Sequence, residues 1–400
     1  MKNKRKLIAL VISALFFFST LYGMSENNIN SSITKNNYTG YSDIGWHLDQ
    51  INITGAWDLT FGSEEIIIAI IDSGIDFNHS EVLNEWKNID EMPADGIDDD
   101  NNGYIDDDRG WDFVSNDSEP GHNVADPVHW HATFIAGIIT APLDDYGIVG
   151  VAPNITVMNL RVLDVNNLQG TTDGVLGDAI KYAVDNGADV INLSLQYYYP
   201  NSTYLDDIQY AISKNVSVVS VTGNTWAGGL DFQSFPGGFD EVISVGATNS
   251  YYQKAFYSNY GSPWTELMAP VGDGEGGLII NGTFPPPSIP YGTAIGTSFA
   301  APQVAAVIAL MKSVNYTIPV AEIRSILQTT AIDLGTPGLD PFFGYGLINA
   351  TAAVLEVYNR YNVPQVSEFS SIHVSIVLTI IISTIAILPI ALKRKETKKI

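Results

Sequence analysis

Residues 64–72, Glu-Glu-Ile-Ile-Ile-Ala-Ile-Ile-Asp, form a continuous apolar run of mainly β-branched side chains that ends in a carboxylate. The run does not alternate between apolar and polar residues, which favours a strand buried on both faces of a parallel sheet. Further runs of this kind follow at residues 155–162, 189–195, 216–221 and 242–246. We therefore expect these runs to be strands of one sheet.

Segments with a helical period separate the runs. Apolar residues recur at intervals of three and four between Val175 and Val184, and again between Leu205 and Ile212, which is the spacing of one helix face. Strands that alternate with helices predict an α/β domain with a mainly parallel sheet flanked by helices. In such folds the functional residues lie at the carboxyl ends of the strands.

Three further segments complete the predicted domain. A helix over residues 320–330 and the segment 343–350 are expected to close it. The segment 272–291 contains three consecutive prolines, Pro285-Pro-Pro287. Because proline is stiff and cannot donate to a sheet ladder, this segment is expected to be a surface loop.

In the stretch Tyr291–Met311 a glycine-rich loop becomes an apolar helix at Ser298. Pro302 is tolerated because it falls in the first helical turn. A hydroxyl at this position faces unpaired backbone N–H groups and the positive end of the helix dipole, which stabilise negative charge. This environment suits acyl transfer, in which a carbonyl oxygen becomes an oxyanion, although an ordinary N-cap serine has the same local pattern.

A serine nucleophile needs a base, and the base needs an orienting group. Asp72 ends the first predicted strand, and His131 begins an apolar segment that reads as a helix start. Asn224 follows the strand at 216–221, and its side-chain amide can donate to an oxyanion. Each residue also fits a structural role in a turn or a core, so the prediction depends on the four together.

In the order Asp72, His131, Asn224, Ser298, with their flanking residues, the chain resembles the subtilisin-like serine protease family. The matching strings are Ile-Ile-Asp-Ser-Gly-Ile-Asp, His-Ala-Thr-Phe-Ile-Ala-Gly, Asn-Leu-Ser-Leu, Thr-Gly-Asn and Gly-Thr-Ser-Phe-Ala-Ala-Pro, within about residues 41–355. The resemblance implies that Ser298 attacks a peptide carbonyl, His131 transfers the proton and Asp72 orients His131. It also implies that Asn224 and the Ser298 N–H hold the oxyanion.

The resemblance further implies where a peptide substrate lies. One edge that pairs with the substrate backbone would consist of Ser194, Leu195 and Gln196. Gly170 would belong to the opposing edge, and main-chain pairing implies broad sequence tolerance. Gln196 departs from the family, in which a glycine usually opens the primary pocket at this position. Ala132 and Phe134 also depart from it, in place of a glycine and a second histidine, but neither is a catalytic group.

The composition argues against several other functions. The chain has 44 Asp and Glu against 19 Lys and Arg, a net charge of −25, which argues against nucleic acid or anionic lipid headgroups as partners. It contains no cysteine, so disulfides, a thiol nucleophile and a zinc–thiolate site are excluded. We expect no cofactor in catalysis.

An acidic insertion, residues 88–120, separates the Asp72 and His131 motifs. Oxygen-bearing residues in it follow the spacing of a calcium loop, with Gly103 at the sharp turn. The predicted ligands are Asp98, Asp100, Asn102, the carbonyl of Tyr104, and Asp106. Arg109 stands where such a loop usually ends in glutamate, so any final ligand would be Asp107, Asp108 or a remote group. A solvated acidic loop is the alternative. We favour a structural Ca²⁺ because so many carboxylates repel one another without a cation.

The two ends of the chain predict export and membrane anchoring. The first has the basic start and short apolar run of a secretory signal, and the second has an apolar stretch long enough to cross a bilayer, followed by basic residues that stay on the cytoplasmic side. In order, the predicted segments are a signal peptide (1–23), a flexible lead-in (24–40), a peptidase domain (41–362), a juxtamembrane linker (363–371), a transmembrane helix (372–392) and a basic cytoplasmic tail (393–400).

Two functions fit these features. The first is a membrane-tethered serine endopeptidase outside the cytoplasm that hydrolyses peptide or protein substrates. The second is a catalytically silent, calcium-dependent surface binding module on a protease scaffold, which the altered motif flanks favour. The intact set of Asp72, His131, Asn224 and Ser298 leads us to prefer the enzyme.

Overall fold

The computed structural model describes residues 45–121, 129–164, 173–225, 230–275, 277–286 and 289–362. Its internal contacts divide the chain into two units, Met1–Val357 and Tyr358–Ile400, and the second is described only as far as residue 362. The predicted signal peptide, lead-in, linker, transmembrane helix and basic tail lie outside the described residues, as does Gly170.

A sheet of seven parallel strands forms the centre of the described domain. In chain order the strands are β1 Ile67–Asp72, β2 Gly110–Asp112, β3 Thr156–Arg161, β4 Val190–Leu193, β5 Ser217–Val221, β6 Ile243–Thr248 and β7 Leu267–Pro270. Across the sheet their order is β2-β3-β1-β4-β5-β6-β7, and every neighbouring pair is parallel. The predicted α/β fold with a mainly parallel sheet is confirmed.

Strand β1 explains why its sequence does not alternate. Successive side chains of a strand point to opposite faces. Ile68 and Ile70 belong to one hydrophobic core, whereas Ala69 and Ile71 belong to a second core on the other face. Since both faces are covered, every position of the strand favours an apolar residue.

Helices cover both faces of the sheet. In chain order they are α1 Trp46–Gln50, α2 Ile53–Trp57, α3 His131–Thr140, α4 Asp173–Asp185, α5 Ser202–Ser213, α6 Ala301–Val314, α7 Val320–Thr330 and α8 Ala350–Tyr361. Helices α3 and α6 contribute to the core that contains Ile68, and α4 and α5 contribute to the core that contains Ile71. The result is a layer of sheet between two layers of helix.

The prediction of a surface loop at residues 272–291 is wrong in part. Two short strands, β8 Asn281–Thr283 and β9 Tyr291–Thr293, form an antiparallel hairpin at this place. Thr283 is fully buried, and its hydroxyl donates to the carbonyl oxygen of Thr133 at 2.6 Å. The hairpin packs against α3. The sequence of three-residue strands does not predict this tertiary contact.

One helix among the described residues, Thr297–Val314, has the length and apolar composition to cross a bilayer. However, 83% of this window is buried inside the protein. Its apolar character therefore has an explanation in core packing, because α6 contacts strands of the sheet along its length.

The strand order makes the end of β1 a switch point of the sheet. Strand β1 has β3 on one side and β4 on the other, so the chain changes direction across the sheet at this strand. In open α/β sheets, ligands bind outside the carboxyl ends of strands at such a switch point. Asp72 is the last residue of β1, and Ser194 and Asn224 follow β4 and β5 at the same edge.

Candidate active site

Asp72 and His131 form a hydrogen-bonded pair at this edge of the sheet. The Nδ1 atom of His131 lies 2.8 Å from Oδ1 of Asp72, whose side chain is fully buried. Because a carboxylate can only accept, Nδ1–H donates, and Nε2 is the acceptor of a neutral imidazole. The Ser73 N–H donates to the same carboxylate oxygen at 2.7 Å. The pair therefore presents a base in a defined tautomer.

Two further hydrogen bonds join the segments that carry the pair. The Ala132 N–H donates to the Ser73 hydroxyl at 3.2 Å, and the Asp76 N–H donates to the Thr133 hydroxyl at 3.0 Å. The start of α3 is thereby fastened to the turn that follows β1. This fastening fixes the position of the His131 backbone relative to Asp72.

Aromatic rings restrict the imidazole. The ring centroid of His131 lies 5.7 Å from that of Trp130 and 5.4 Å from that of Phe299. Phe134 stands where the family that the chain resembles has a second histidine. It is fully buried, and its ring centroid lies 4.5 Å from that of Phe299. This cluster was not predicted from the sequence, although aromatic residues directly beside both motifs were a signal for it.

Ser298 lies in a 3₁₀ turn, Thr297–Phe299, at the start of α6. The preceding Gly296 has φ of 144°, a conformation that side chains rarely permit. The Ser298 hydroxyl donates to the carbonyl oxygen of Ser194 at 3.3 Å, and the Ser194 hydroxyl donates to the carbonyl oxygen of Ser298 at 2.8 Å. No hydrogen bond joins Ser298 to His131 in the described part of the chain, but Phe299, the next residue, contacts the imidazole.

Asn224 is tied to the serine turn through its side chain. Its Oδ1 accepts from the N–H and the hydroxyl of Thr297, at 2.9 and 3.0 Å. An amide held through its oxygen keeps its NH₂ group as a donor. A Cβ built on Gly296 would stand 3.7 Å from this Nδ2 atom, so the amide lies beside the residues that precede Ser298. The structure thus brings Asn224 and Ser298 together, with Thr297 as the link.

The predicted substrate edge follows β4. Ser194 and Leu195 are buried and Gln196 is half-buried. The backbone N–H and C=O groups of Leu195 and Gln196 have no hydrogen-bond partner within the described ranges. They are therefore open to pairing with another extended chain.

Comparison with known proteins settles the family. A sequence model of the subtilase family matches residues 63–346. The chain belongs to the subtilase family. The resemblance seen in the four motifs is thereby confirmed, as is the subtilisin-like fold.

Several known proteins are similar in sequence to this subtilase. A thermophilic serine proteinase from a Bacillus species is 35% identical over 300 residues, which cover 75% of this chain and 64% of that protein. Thermitase from Thermoactinomyces vulgaris is 32% identical over 306 residues, covering 76% of this chain and 94% of thermitase. Halolysin from Haloferax mediterranei is 32% identical over 305 residues, covering 76% of this chain and 52% of halolysin. The chain thus spans about half to two thirds of the length of the first and third of these relatives.

The acidic insertion of this subtilase gathers carboxylates into one cluster. Glu91, Asp100 and Asp107 each offer an oxygen within 4.8 Å of the others. Two amides connect the two aspartates. Nδ2 of Asn88 donates to both at 3.0 Å, and Nδ2 of Asn102 donates to both at 2.9 and 3.0 Å.

Glu91 has an orphaned oxygen in this cluster. Its Oε1 accepts from the backbone N–H groups of Asp99 and Asp100 at 2.7 and 3.1 Å. Its Oε2 is buried and accepts no hydrogen bond from the described residues. Burial raises the pKa of the Glu91 carboxyl and of the Asp107 carboxyl above their usual values. A buried oxygen without a partner among other carboxylates fits a divalent cation, and Ca²⁺ prefers all-oxygen ligands.

The other predicted calcium ligands lie around this cluster in different roles. Asp98 accepts from the N–H groups of Asn102 and Gly103, and Asp106 accepts from those of Asp95 and Gly96. The ring of Tyr104 packs edge-on against Trp111 and Tyr182, 5.0 and 4.9 Å away between centroids. Glu91 was not predicted as a ligand from the spacing, because this residue precedes the motif and reaches the cluster only when the loop folds back.

Proposed function

We propose that this subtilase is a serine endopeptidase. The observation that carries the proposal is the Asp72–His131 hydrogen bond beside the turn that holds Ser298. In the proposed mechanism, Nε2 of His131 removes the proton from the Ser298 hydroxyl as its oxygen attacks the peptide carbonyl carbon. Asp72 orients the imidazole and stabilises the imidazolium. His131 then returns the proton to the leaving amine, and a water molecule activated in the same way hydrolyses the acyl-enzyme.

The oxyanion of each tetrahedral intermediate would be held by two donors. One is the Nδ2 amide of Asn224, whose oxygen is already held by Thr297. The other is the Ser298 N–H, at a helix start where backbone N–H groups have no intrahelical partner. Donors that are fixed before the reaction stabilise the developing charge without reorganisation.

The resting position of the Ser298 hydroxyl suggests how a substrate takes part. The hydroxyl donates to the Ser194 carbonyl oxygen, and a substrate N–H bound at the same oxygen would compete with it. Rotation about the Cα–Cβ bond of Ser298 then frees the hydroxyl to bond to His131. Catalytic hydrogen bonds are often long or absent before the substrate binds, which is consistent with this sequence of events.

The substrate class follows from the open backbone groups of Leu195 and Gln196. An extended peptide that pairs with them is recognised mainly through its own backbone, so we expect broad sequence tolerance. Similar proteins are named serine proteinase, thermitase and subtilisin. The silent binding module is therefore not favoured.

A bound Ca²⁺ would stabilise the insertion. Glu91, Asp100 and Asp107 would hold it, and the cation would neutralise the orphaned oxygen of Glu91 and the mutual repulsion of the three carboxylates. Its proposed role is structural, since this cluster contains none of the four residues assigned to the reaction.

The terminal segments support a location on the outer face of the cell membrane. They are the proposed signal peptide at 1–23 and the proposed transmembrane helix at 372–392. Fractionation tests this part of the proposal. The full chain should sediment with membranes after a high-pH wash, and a chain that ends at residue 362 should appear in the medium; recovery of the full chain in the soluble fraction would contradict it.

The enzymatic proposal is tested with the detergent-solubilised full chain and an unfolded, fluorescently labelled protein as substrate. The Ser298→Ala variant should lose activity by about 10⁶-fold, the loss known for the nucleophile of subtilisin, a member of this family. Ser313→Ala, on the same helix and with its hydroxyl bonded to the Ala309 carbonyl, is the matched control and should retain activity. Equal hydrolysis by the wild type and Ser298→Ala would refute the assignment.

A further inference from the structure

The side chain of Gln196 crosses from the loop after β4 to the loop after β5. Its Oε1 accepts from the backbone N–H of Asn224 at 2.6 Å. The carboxamide also lies directly over Gly223, because a Cβ built on this glycine would stand 2.6 Å from the same oxygen. Gln196 is therefore packed onto the loop that carries Asn224 rather than extended into solvent.

Other segments of the chain hold Thr222 and Gly223, the two residues before Asn224. The Thr222 carbonyl oxygen accepts from the Ser234 hydroxyl at 2.6 Å, and the Gly223 carbonyl oxygen accepts from the Asn259 N–H at 2.9 Å. Neither contact reaches the Asn224 N–H. Gln196 supplies the acceptor for this group.

Two hydrogen bonds therefore hold Asn224 itself. Gln196 holds its backbone N–H, and Thr297 holds its side-chain oxygen. The Nδ2 amide has no hydrogen-bond partner among the described residues. The next residue is also held, because the Thr225 N–H donates to the Tyr257 carbonyl oxygen at 2.9 Å. If Gln196 is removed, the Asn224 N–H itself loses its acceptor, and the direction of the side-chain amide becomes less defined.

We propose that Gln196 is a positioning residue that fixes the Asn224 amide for oxyanion binding. The inference rests on the proposed endopeptidase function. It follows from how an oxyanion donor works: its effect depends on being held about 2.7–3.1 Å from where the oxyanion forms. A tether on the backbone of the donor therefore acts on the chemical step more than on substrate binding.

A direct contact with substrate would give a different kinetic result. The Nε2 atom of Gln196 has no partner among the residues that the structure describes, so it is available to a ligand. If Gln196 acted by binding the substrate equally in the ground and transition states, its loss would raise KM and leave kcat unchanged. A positioning role lowers kcat with KM nearly constant.

The test is a double-mutant cycle on the solubilised full chain with a fluorogenic peptide. The variants are Gln196→Met, Asn224→Ala and the combination, with Gln209→Met on α5 as the matched control. Gln196→Met keeps the length of the side chain but removes its strong acceptor. We expect it to lower kcat about tenfold, a part of the roughly 10²–10³ that one donor contributes. In the Asn224→Ala background we expect no further loss, because the two residues act as one unit.

Three outcomes would overturn the inference: an unchanged kcat in Gln196→Met, a change confined to KM, or the same tenfold loss in the Asn224→Ala background. Gln196→Ala is measured in the same cycle, with the same expected coupling to Asn224→Ala. If the melting temperature shows a folding defect in the methionine variant, the alanine variant supplies the test. Activity that is lost in Ser298→Ala but unchanged in the Gln196 variants would refute this inference alone. Activity that survives in Ser298→Ala would refute the proposed function itself.

Discussion

Single hydrogen-bond donors and acceptors decide the chemistry of this site at the scale of the residue. Asp72 accepts from His131, and Asn224 is held through its oxygen by Thr297. In the proposed mechanism both contacts orient a neighbour without taking part in bond making. Substitutions that keep the fold but change one such group therefore isolate its contribution to the rate.

Replacing Asn224 by alanine removes one proposed oxyanion donor. We expect kcat to fall by about 10²–10³ with little change in KM, a magnitude taken from subtilisin, which belongs to this family. Asn201→Ala is the matched control, since Asn201 caps α5 by accepting from the Thr203 N–H. Loss of this cap should lower the free energy of unfolding by about 1 kcal/mol and leave kcat unchanged. Steady-state kinetics at saturating peptide decide the matter, and a kcat within twofold of wild type in Asn224→Ala would contradict the role.

Glu81 links stability to pH. It is 1% exposed, its Oε1 accepts from the Tyr291 hydroxyl at 2.7 Å, and its Oε2 has no hydrogen-bond partner in the described residues. Burial raises the pKa of the Glu81 carboxyl, an effect that the bond from Tyr291 only partly offsets. The folded chain thus holds this proton more tightly than the unfolded chain, so the free energy of unfolding falls as pH rises from the ordinary glutamate pKa of about 4.3 through the raised pKa.

The Glu81→Gln variant has no such proton. We therefore expect its stability relative to wild type to increase as pH rises above about 4.3, the ordinary glutamate pKa. Urea unfolding at several pH values, in EDTA so that no cation masks the carboxylate, measures the difference. A difference that does not change with pH would show that Glu81 titrates as it does in the unfolded chain.

At the scale of the element, helix α6 carries a buried cation into the core. Lys312 is 2% exposed, and its Nζ lies 3.6 Å from Oδ1 of Asp189 and donates to the Asn215 carbonyl at 3.1 Å. Burial lowers the pKa of Lys312 and raises that of Asp189. Asp189 precedes β4, so the pair lies at the amino edge of the sheet, opposite the candidate active site.

Breaking this pair tests how much it stabilises α6. Lys312→Met leaves the Asp189 charge buried without its partner and should lower the free energy of unfolding by about 3–5 kcal/mol. In wild type the Ile67 N–H donates to Asp189 at 3.1 Å. Adding Asp189→Asn removes the buried charge and keeps an acceptor for this N–H. Most of the lost free energy of unfolding should therefore be recovered. Urea unfolding measures both variants; a double variant no more stable than the single one would contradict the explanation.

The calcium cluster makes a further prediction at this scale. A cation bound only by the folded chain stabilises it by mass action, by about 2.7 kcal/mol at 100 times the dissociation constant. We expect EDTA to lower the melting temperature of the wild type but not that of Glu91→Gln, with the exposed Glu64→Gln as the matched control. A melting temperature of the wild type that is the same in EDTA and in Ca²⁺ would remove the cation from the account.

The strands and helices differed in how far their sequences predicted them. The long apolar run of β1 was predicted because burial on both faces leaves a continuous apolar stretch. The helical faces of α4 and α5 were predicted because burial on one face leaves apolar residues at intervals of three and four. β2 and the β8–β9 hairpin were missed, since strands of three residues are too short to show a period. Contacts between loops, such as Gln196 with Asn224 or Glu91 with Asp107, follow from how separate loops fold together and leave no local pattern.

At the scale of the whole molecule, the strand order explains why residues far apart in the chain meet. Asp72, Ser194 and Asn224 follow or end parallel strands β1, β4 and β5, so all three lie at one edge of the sheet. His131 and Ser298 enter the same edge from the starts of α3 and α6, on one face. The four positions proposed for the reaction could be singled out because each lies in a distinctive local string, whereas the resting bond of Ser298 to Ser194 could not be predicted.

The most direct test of the account is covalent labelling of the full chain by a fluorophosphonate, which reacts with a serine only when a base activates it. We predict one label per chain, mapped by mass spectrometry to Ser298, absent in Ser298→Ala and strongly slowed in His131→Ala. A folded chain with an intact melting transition that takes no label, or takes it at another serine, would contradict the proposal that Asp72, His131, Asn224 and Ser298 form one hydrolytic site.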